Sequence, residues 1–226
     1  MASTASPLSI DIVSDVVCPW CYIGKRRLEA ALARRANSDA PVQVRWLAFQ
    51  LNPDIPTRGV DRRSYLEQKF GGPERAKQIY ARIKTAGEEV GIAFDFERIV
   101  RQPNTFDAHR LIAWAQDVDL NASDALVERL FRAYFIEGVY IGDIDTLARL
   151  AGDAGFDAAA ARAWLASDAG HAAVQAEEQR ARALGVTGVP FFVFNERLAV
   201  SGAQPPEVLL AAMEQASMPE LESGAA

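Results

Sequence analysis

The stretch Leu8-Ser9-Ile10-Asp11-Ile12-Val13-Ser14-Asp15-Val16-Val17-Cys18-Pro19-Trp20-Cys21 passes from a strand pattern to a helix start. Leu8 to Val13 alternates apolar and polar residues and then turns β-branched, which suits a strand. From Pro19 onward the pattern is helical. Gly24, Leu28, Ala31 and Leu32 share one face, while Lys25, Arg26, Arg34 and Arg35 lie largely elsewhere. Pro19 suits the first helical turn, where its missing N–H forfeits no hydrogen bond. Val42 to Phe49 is a second strand pattern. The first fifty residues therefore predict β-α-β, and a helical crossover makes the two strands parallel.

Outward from this unit, Pro53, Pro56 and Gly59 mark a loop. Helical patterns follow near 61–69, 73–90, 105–118, 122–136, 145–153, 157–166 and 168–183. Asn104 is a candidate N-cap for the third of these, with Asp107 at N3. The β character returns late: a loop over 185–190, a short apolar strand Phe191 to Phe194, a tight turn Asn195-Glu196-Arg197, and a strand Leu198 to Val200. Pro206 to Ala216 reads as a closing helix. Residues 1–7 and the tail from Ser217 read as frayed or disordered ends. The order predicts one α/β domain with a large all-helical insertion: a first core half over 1–57, the insertion over 58–184, a second core half over 185–216 and a flexible tail over 217–226. Neither half of the sheet has enough strands to be stable alone.

Composition narrows the function classes. Half of the 226 residues are hydrophobic and 24% are charged, as in ordinary globular proteins. The net charge of −6 argues against a nucleic-acid or anionic-membrane partner. No apolar run approaches the roughly 18 residues of a membrane span. Met1 to Ile10 holds neither Lys nor Arg nor a long apolar run, so it is not read as a secretory leader, and a cytoplasmic location is expected. In a reducing cytosol, two lone cysteines are catalytic or metal-binding more often than a structural staple.

Cys18 and Cys21 can close a small disulfide at the start of a helix. The helix mouth offers unpaired N–H groups and a partial positive charge, so a Cys18 thiolate is expected to be stabilised there. Cys18 is the expected nucleophile, and Cys21, one turn inside, the buried resolving thiol. Trp20 is expected to be half exposed, as part of a substrate-facing surface with Pro19. The chain's four candidate zinc ligands, Cys18, Cys21, His109 and His171, lack the spacing of a structural site, and no metal is expected. His109 reads either as a core-edge histidine beside Phe106 and Ile112 or as a group near the cysteines that moves a proton. Asn104 is a helix cap, a polar group in the cleft, or both. His171 reads as a surface residue, and Lys25-Arg26-Arg27 as a solvated basic turn. Thr187-Gly188-Val189-Pro190 precedes the late strand. On local sequence its Val189–Pro190 bond reads as trans; a cis bond would present Val189 backbone toward the cysteines, where it could pair with an extended substrate.

Four stretches carry a resemblance: Asp15 to Gly24, Asn104-Thr105-Phe106-Asp107-Ala108-His109-Arg110, Gly138-Val139-Tyr140-Ile141-Gly142-Asp143 and Thr187 to Phe192. In this order the chain resembles the thioredoxin superfamily, and within it the DsbA-like, FrnE-like group that also takes in 2-hydroxychromene-2-carboxylate isomerases. The resemblance implies a thioredoxin-like core with a helical insertion, a cis Pro190, and disulfide exchange or isomerisation on protein or small-molecule thiols. The candidate substrate contacts, read from the residues above, are Pro19, Trp20, Val189, Pro190, Asn104 and His109. No cofactor is expected beyond a redox-active disulfide, with glutathione as a candidate co-substrate. The alternative is a glutathione-dependent transferase or isomerase of the kappa or 2-hydroxychromene-2-carboxylate type, which resembles this chain at Asn104 and Val189-Pro190. That group carries Ser in place of Cys18 and lacks the second Cys, whereas this sequence has both cysteines.

Overall fold

The strand that begins the decisive stretch, β1 (Leu8–Ser14), runs through the middle of the sheet, with every residue but Ser9 buried. The computed structural model describes residues 7–35 and 41–218. The expectations for the chain ends therefore fall outside the described residues, except at Pro7, Ser217 and Met218. β1 pairs in parallel with β2 (Val42–Ala48), from Leu8 opposite Val42 to Ser14 opposite Ala48. On its other side it pairs antiparallel with β5 (Phe191–Phe194), Ile10 facing Phe194. β6 (Leu198–Ser201) completes the order β2-β1-β5-β6. The turn between β5 and β6 places Asn195 and Glu196 at φ 50° and 56°. Asn195 is well suited to this conformation, and its side chain ties the turn down by accepting from Ser9 N at 2.9 Å and donating to Ala216 O at 3.0 Å. α1 (Pro19–Arg34) packs on α9 (Pro206–Ser217), which also meets β5 and β6. This is the thioredoxin-like core.

Between β2 and β5 lie β3 (Val60–Asp61), α2 (Arg62–Phe70), α3 (Pro73–Glu88), a 3-10 turn at Phe96–Arg98, β4 (Arg101–Gln102), α4 (Phe106–Val118), α5 (Leu120–Phe135), α6 (Ile144–Asp153), α7 (Ala158–Leu165) and α8 (His171–Ala183). The insertion is large and mostly helical, but it also carries a short antiparallel ladder in which Val60 faces Gln102 and Asp61 faces Arg101. α5 starts two residues earlier than its apolar pattern predicts. Asp119 ends α4 and, by accepting from Asn121 N and Ala122 N, caps α5 in the same residue. α8 starts at His171, because Gly170 turns the chain at φ 75°. His171 is half-buried and packs edge-on against Phe106 at 5.0 Å, not free on the surface as predicted.

Two seams join insertion and core. Along the exposed edge of β2, insertion side chains stand in for a neighbouring strand. Gln116 accepts from Trp46 N at 2.6 Å and donates to Trp46 O at 3.1 Å. Glu177 accepts from Ala48 N at 2.6 Å, Glu178 accepts from Gln50 N, and Arg182 donates to Gln50 O at 2.7 Å. The second seam lies between α1 and α5. Tyr22 stacks on Phe131 at 5.0 Å and donates to Glu128 at 2.7 Å. Lys25, predicted to be solvated, is only 3% exposed. It meets Asp124 at 2.9 Å, Glu128 at 3.4 Å and the Glu29 carboxylate. Burial alone would lower its pKa; the charge of Asp124 and the hydrogen bond to Glu29 more than offset this and raise it. The misreading has a simple cause: two of these acids come from α5, a hundred residues away. Most of the apolar side chains of both parts merge into a single core.

Candidate active site

β1 ends at Ser14, and Asp15 to Val17 form the turn into α1. Cys18 N donates to Asp15 O at 2.9 Å, and Cys21 N to Cys18 O at 3.0 Å, which closes the first turn of the helix. Cys18 occupies the N-cap, Pro19 the first helical position, and no acidic side chain stands in that turn. The positive end of the helix dipole therefore stands at Cys18, with no carboxylate in the first turn to compete for it. Both cysteines are free thiols. Cys21 is fully sunk, and burial first, then the neighbouring Cys18, pushes its thiol well above the ordinary pKa.

Cys18 opens on a cleft of about 200 Å³. Trp20, 39% exposed, forms its outer lip, and Tyr65, Phe70 and Tyr80 from α2 and α3 make its apolar wall. Among the described residues the cation in its lining is Lys69, which donates to Asn52 Oδ1 at 2.9 Å and to Tyr65 OH at 2.8 Å. Burial lowers the Lys69 pKa, with the charges of Asp15 and Cys18 opposing. Through Leu51, Asn52 and Tyr65 the cleft continues into a wider groove of about 440 Å³ along the 51–56 loop. Across from the cleft, the Cys18 thiol donates to Val189 O at 3.5 Å, and the Val189–Pro190 bond is cis. Gly24 permits this approach: a Cβ there would stand 2.9 Å from Pro190 Cγ and 3.2 Å from Phe192 Cζ. Cys18, Cys21, Pro19, Trp20, Val189 and Pro190 are thus brought together from two ends of the sequence.

Asn104 and His109 are not in front of the sulfurs. The Asn104 side chain spends its bonds on the protein. It accepts from Gln50 Nε2 at 3.0 Å and Phe106 N at 2.9 Å, and donates to Ile55 O at 2.6 Å. The N-cap of α4 is Thr105, not Asn104 as predicted; Asn104 braces the turn before it and clamps the loop that borders the groove. His109 is 4% exposed and sits behind the helix mouth, its Nε2 3.6 Å from Asp15 Oδ1. Burial keeps it from touching a substrate in the cleft. Asp15 itself is completely buried, and its other oxygen accepts from Leu51 N at 2.8 Å. Sequence reasoning missed Lys69, Tyr65 and Asn52, which no spacing links to the cysteines. Asp15 did leave a signal, a lone acid in the apolar run leading into Cys18.

The description "DSBA-like thioredoxin domain" matches residues 9–214. The chain belongs to this family. A DSBA-like relative of known structure, a probable DsbA oxidoreductase from Streptomyces coelicolor, is 37% identical with a TM-score of 0.83, covering 92% of this chain and 89% of its own. Two more distant structures share the DSBA-like fold. One is a 2-hydroxychromene-2-carboxylate isomerase, 19% identical with a TM-score of 0.68 over 92% of this chain and 95% of its own. The other is the cytosolic disulfide reductase DsbM of Pseudomonas aeruginosa, solved with GSH, 19% identical with a TM-score of 0.63 over 92% and 98%. Among the described residues, no helix of this DSBA-like chain is long and apolar enough to cross a membrane, and no cluster of three or more acidic, His or Cys side chains could hold a metal.

Proposed function

We propose that this DSBA-like protein is a thiol–disulfide oxidoreductase working through Cys18 and Cys21. The observation that carries the reading is the asymmetry of the pair. Cys18 stands at a helix mouth facing a cleft and a backbone carbonyl, while Cys21 is sealed one turn below with its thiol held protonated. Cys18 thiolate attacks a substrate disulfide and forms a mixed disulfide. Cys21 then attacks the Cys18 sulfur, the Cys18–Cys21 bond forms, and the second substrate thiol leaves. Running backward, the same cycle oxidises a substrate dithiol. Val189, Pro190, Pro19 and Trp20 contact the substrate, with the Val189 backbone pairing an extended segment. The compartment is the cytosol, and glutathione is a candidate co-substrate.

Insulin-disulfide reduction and refolding of scrambled ribonuclease by wild type, Cys18→Ser and Cys21→Ser test the reading. Loss of turnover in Cys18→Ser is expected; equal activity in all three proteins would defeat it. A second reading, a glutathione-dependent transferase or isomerase, draws support from the small apolar cleft with its cation Lys69. Glutathione conjugation that survives Cys21→Ser would favour it.

A further inference from the structure

Behind the helix mouth, two buried polar side chains border the same space. Ser14 Oγ and His109 Nε2 form no well-aligned hydrogen bond with any described residue, and both residues line a cavity of about 10 Å³. That is close to the smallest space that admits one water, and a buried water is what such atoms recruit. The rest of the cavity wall is largely apolar, from Val16, Trp46, Ile112 and Val127. Ser14 also lies close enough to the Cys21 thiol to favour its thiolate. His109 Nε2 has the buried Asp15 carboxylate 3.6 Å away. The cavity thus joins Ser14, which neighbours a thiol that must lose a proton, to His109, an imidazole beside an anion that can hold the product.

We propose that Ser14, one water in this cavity and the His109–Asp15 pair form a relay that takes the proton from Cys21 during resolution of the mixed disulfide. The inference rests on the dithiol reading above. The Cys21 S–H proton passes through the Ser14 hydroxyl and the water to the His109 imidazole, and the imidazolium pairs with Asp15. The Cys21 thiolate attacks Cys18 Sγ, the Cys18–substrate S–S bond breaks, the Cys18–Cys21 bond forms, and the departing substrate thiolate carries the electron pair. Cys18 and Cys21 end oxidised and the substrate disulfide reduced; the proton held on His109 later returns to solvent. Ser14 meets the reacting Cys21 thiol directly, whereas His109 acts through Ser14 and the water and is a positioning residue. The charged groups facing His109 are Asp15 from the turn after β1 and Glu177 from α8; β2 and α5 present only apolar side chains to the cavity. Burial raises the Glu177 pKa, with the Ala48 N–H and the charge of His109 opposing.

The test is stopped-flow reaction of the full reduced chain with a nitroaryl disulfide whose thiolate is coloured. Attack by Cys18 releases one coloured thiolate and resolution by Cys21 a second, so the two steps separate in time. His109→Gln and Ser14→Ala are each expected to leave the first phase unchanged. They should slow the second by about 100-fold near neutral pH. The slowed phase should climb with pH and converge on wild type in alkali, where Cys21 ionises without a relay. A structural defect would instead lower the rate at every pH. If His109→Gln does not fold, Ser14→Ala alone decides. A second phase with wild-type rate and pH profile in the folded variants overturns the relay and leaves the dithiol reading standing. Absence of any second phase in wild type overturns both.

Discussion

The two ends of the first two turns of α1 are built on opposite principles. At the mouth, Cys18 stands at the positive end of the helix dipole and faces an apolar cleft, with no carboxylate in the first turn. One turn past Cys21, Lys25 is buried among Glu29, Asp124 and Glu128, and Arg26 bonds two of the same acids. The first place keeps its polarity unspent and the second saturates it. Reactive groups need unsatisfied partners, and that need conflicts with stability. The helix meets both demands by separating them along its length, so stability and reactivity should respond to different substitutions.

The largest effect on stability is expected at the saturated end. Lys25→Met takes the buried cation from Asp124 and leaves Glu29 and Glu128 to Arg26 across the α1–α5 seam. Their partial exposure moderates the cost, which is about 3 kcal/mol. Urea unfolding should show this while Cys18 alkylation keeps its rate; a slowed alkylation would mean the two ends are coupled. Gly24→Ala lies between the ends and should affect both. Its Cβ would press on Pro190 and Phe192, costing about 1–3 kcal/mol and shifting the Val189 carbonyl away from Cys18. Reduced stability together with slower disulfide exchange is the expected outcome, and a change in stability alone would detach the Val189 loop from the chemistry. The smallest effect concerns acid. Burial would raise the Glu128 pKa, but the Tyr22 hydrogen bond, Arg26 and Lys25 prevail and hold it below its ordinary 4.5. The unfolded chain therefore takes up this proton at higher pH than the folded one. The stabilisation is complete above the ordinary value and is lost as pH falls through the folded value. Glu128→Gln should flatten the acid limb of stability against pH, and an unchanged limb would remove Glu128 from the seam's energetics.

The core was legible because each of its elements declares itself locally. The alternation of Leu8 to Val13, the apolar Phe191 to Phe194 and the Pro-led α1 each imply their structure without help from elsewhere. The helices of the insertion were legible for the same reason, and their ends were misplaced where one residue does two things, as at Asp119 and Gly170. What stayed hidden depends on tertiary pairing. Lys25 looks solvated until α5 brings Asp124 and Glu128 over it. A ladder of two pairs, Val60 with Gln102 and Asp61 with Arg101, is too short for any period to show. At the site, the cysteine pair and Val189-Pro190 stood out in the sequence. Lys69 and Tyr65 did not, because α2 brings them to the cleft only once the insertion has folded. His109 was picked out as a residue near the cysteines, and its place behind them follows from the packing of α4 on β2.

The most direct test of the asymmetry is covalent trapping. Each single variant is reduced, exposed to oxidised glutathione and read by intact mass with peptide mapping. Cys21→Ser should accumulate a mixed disulfide on Cys18 that persists, because the resolving thiol is gone. Cys18→Ser should take up almost none, because the buried Cys21 thiol remains protonated. Equal labelling of the two variants, or a stable adduct on Cys21, would contradict the assignment of Cys18 as the attacking sulfur.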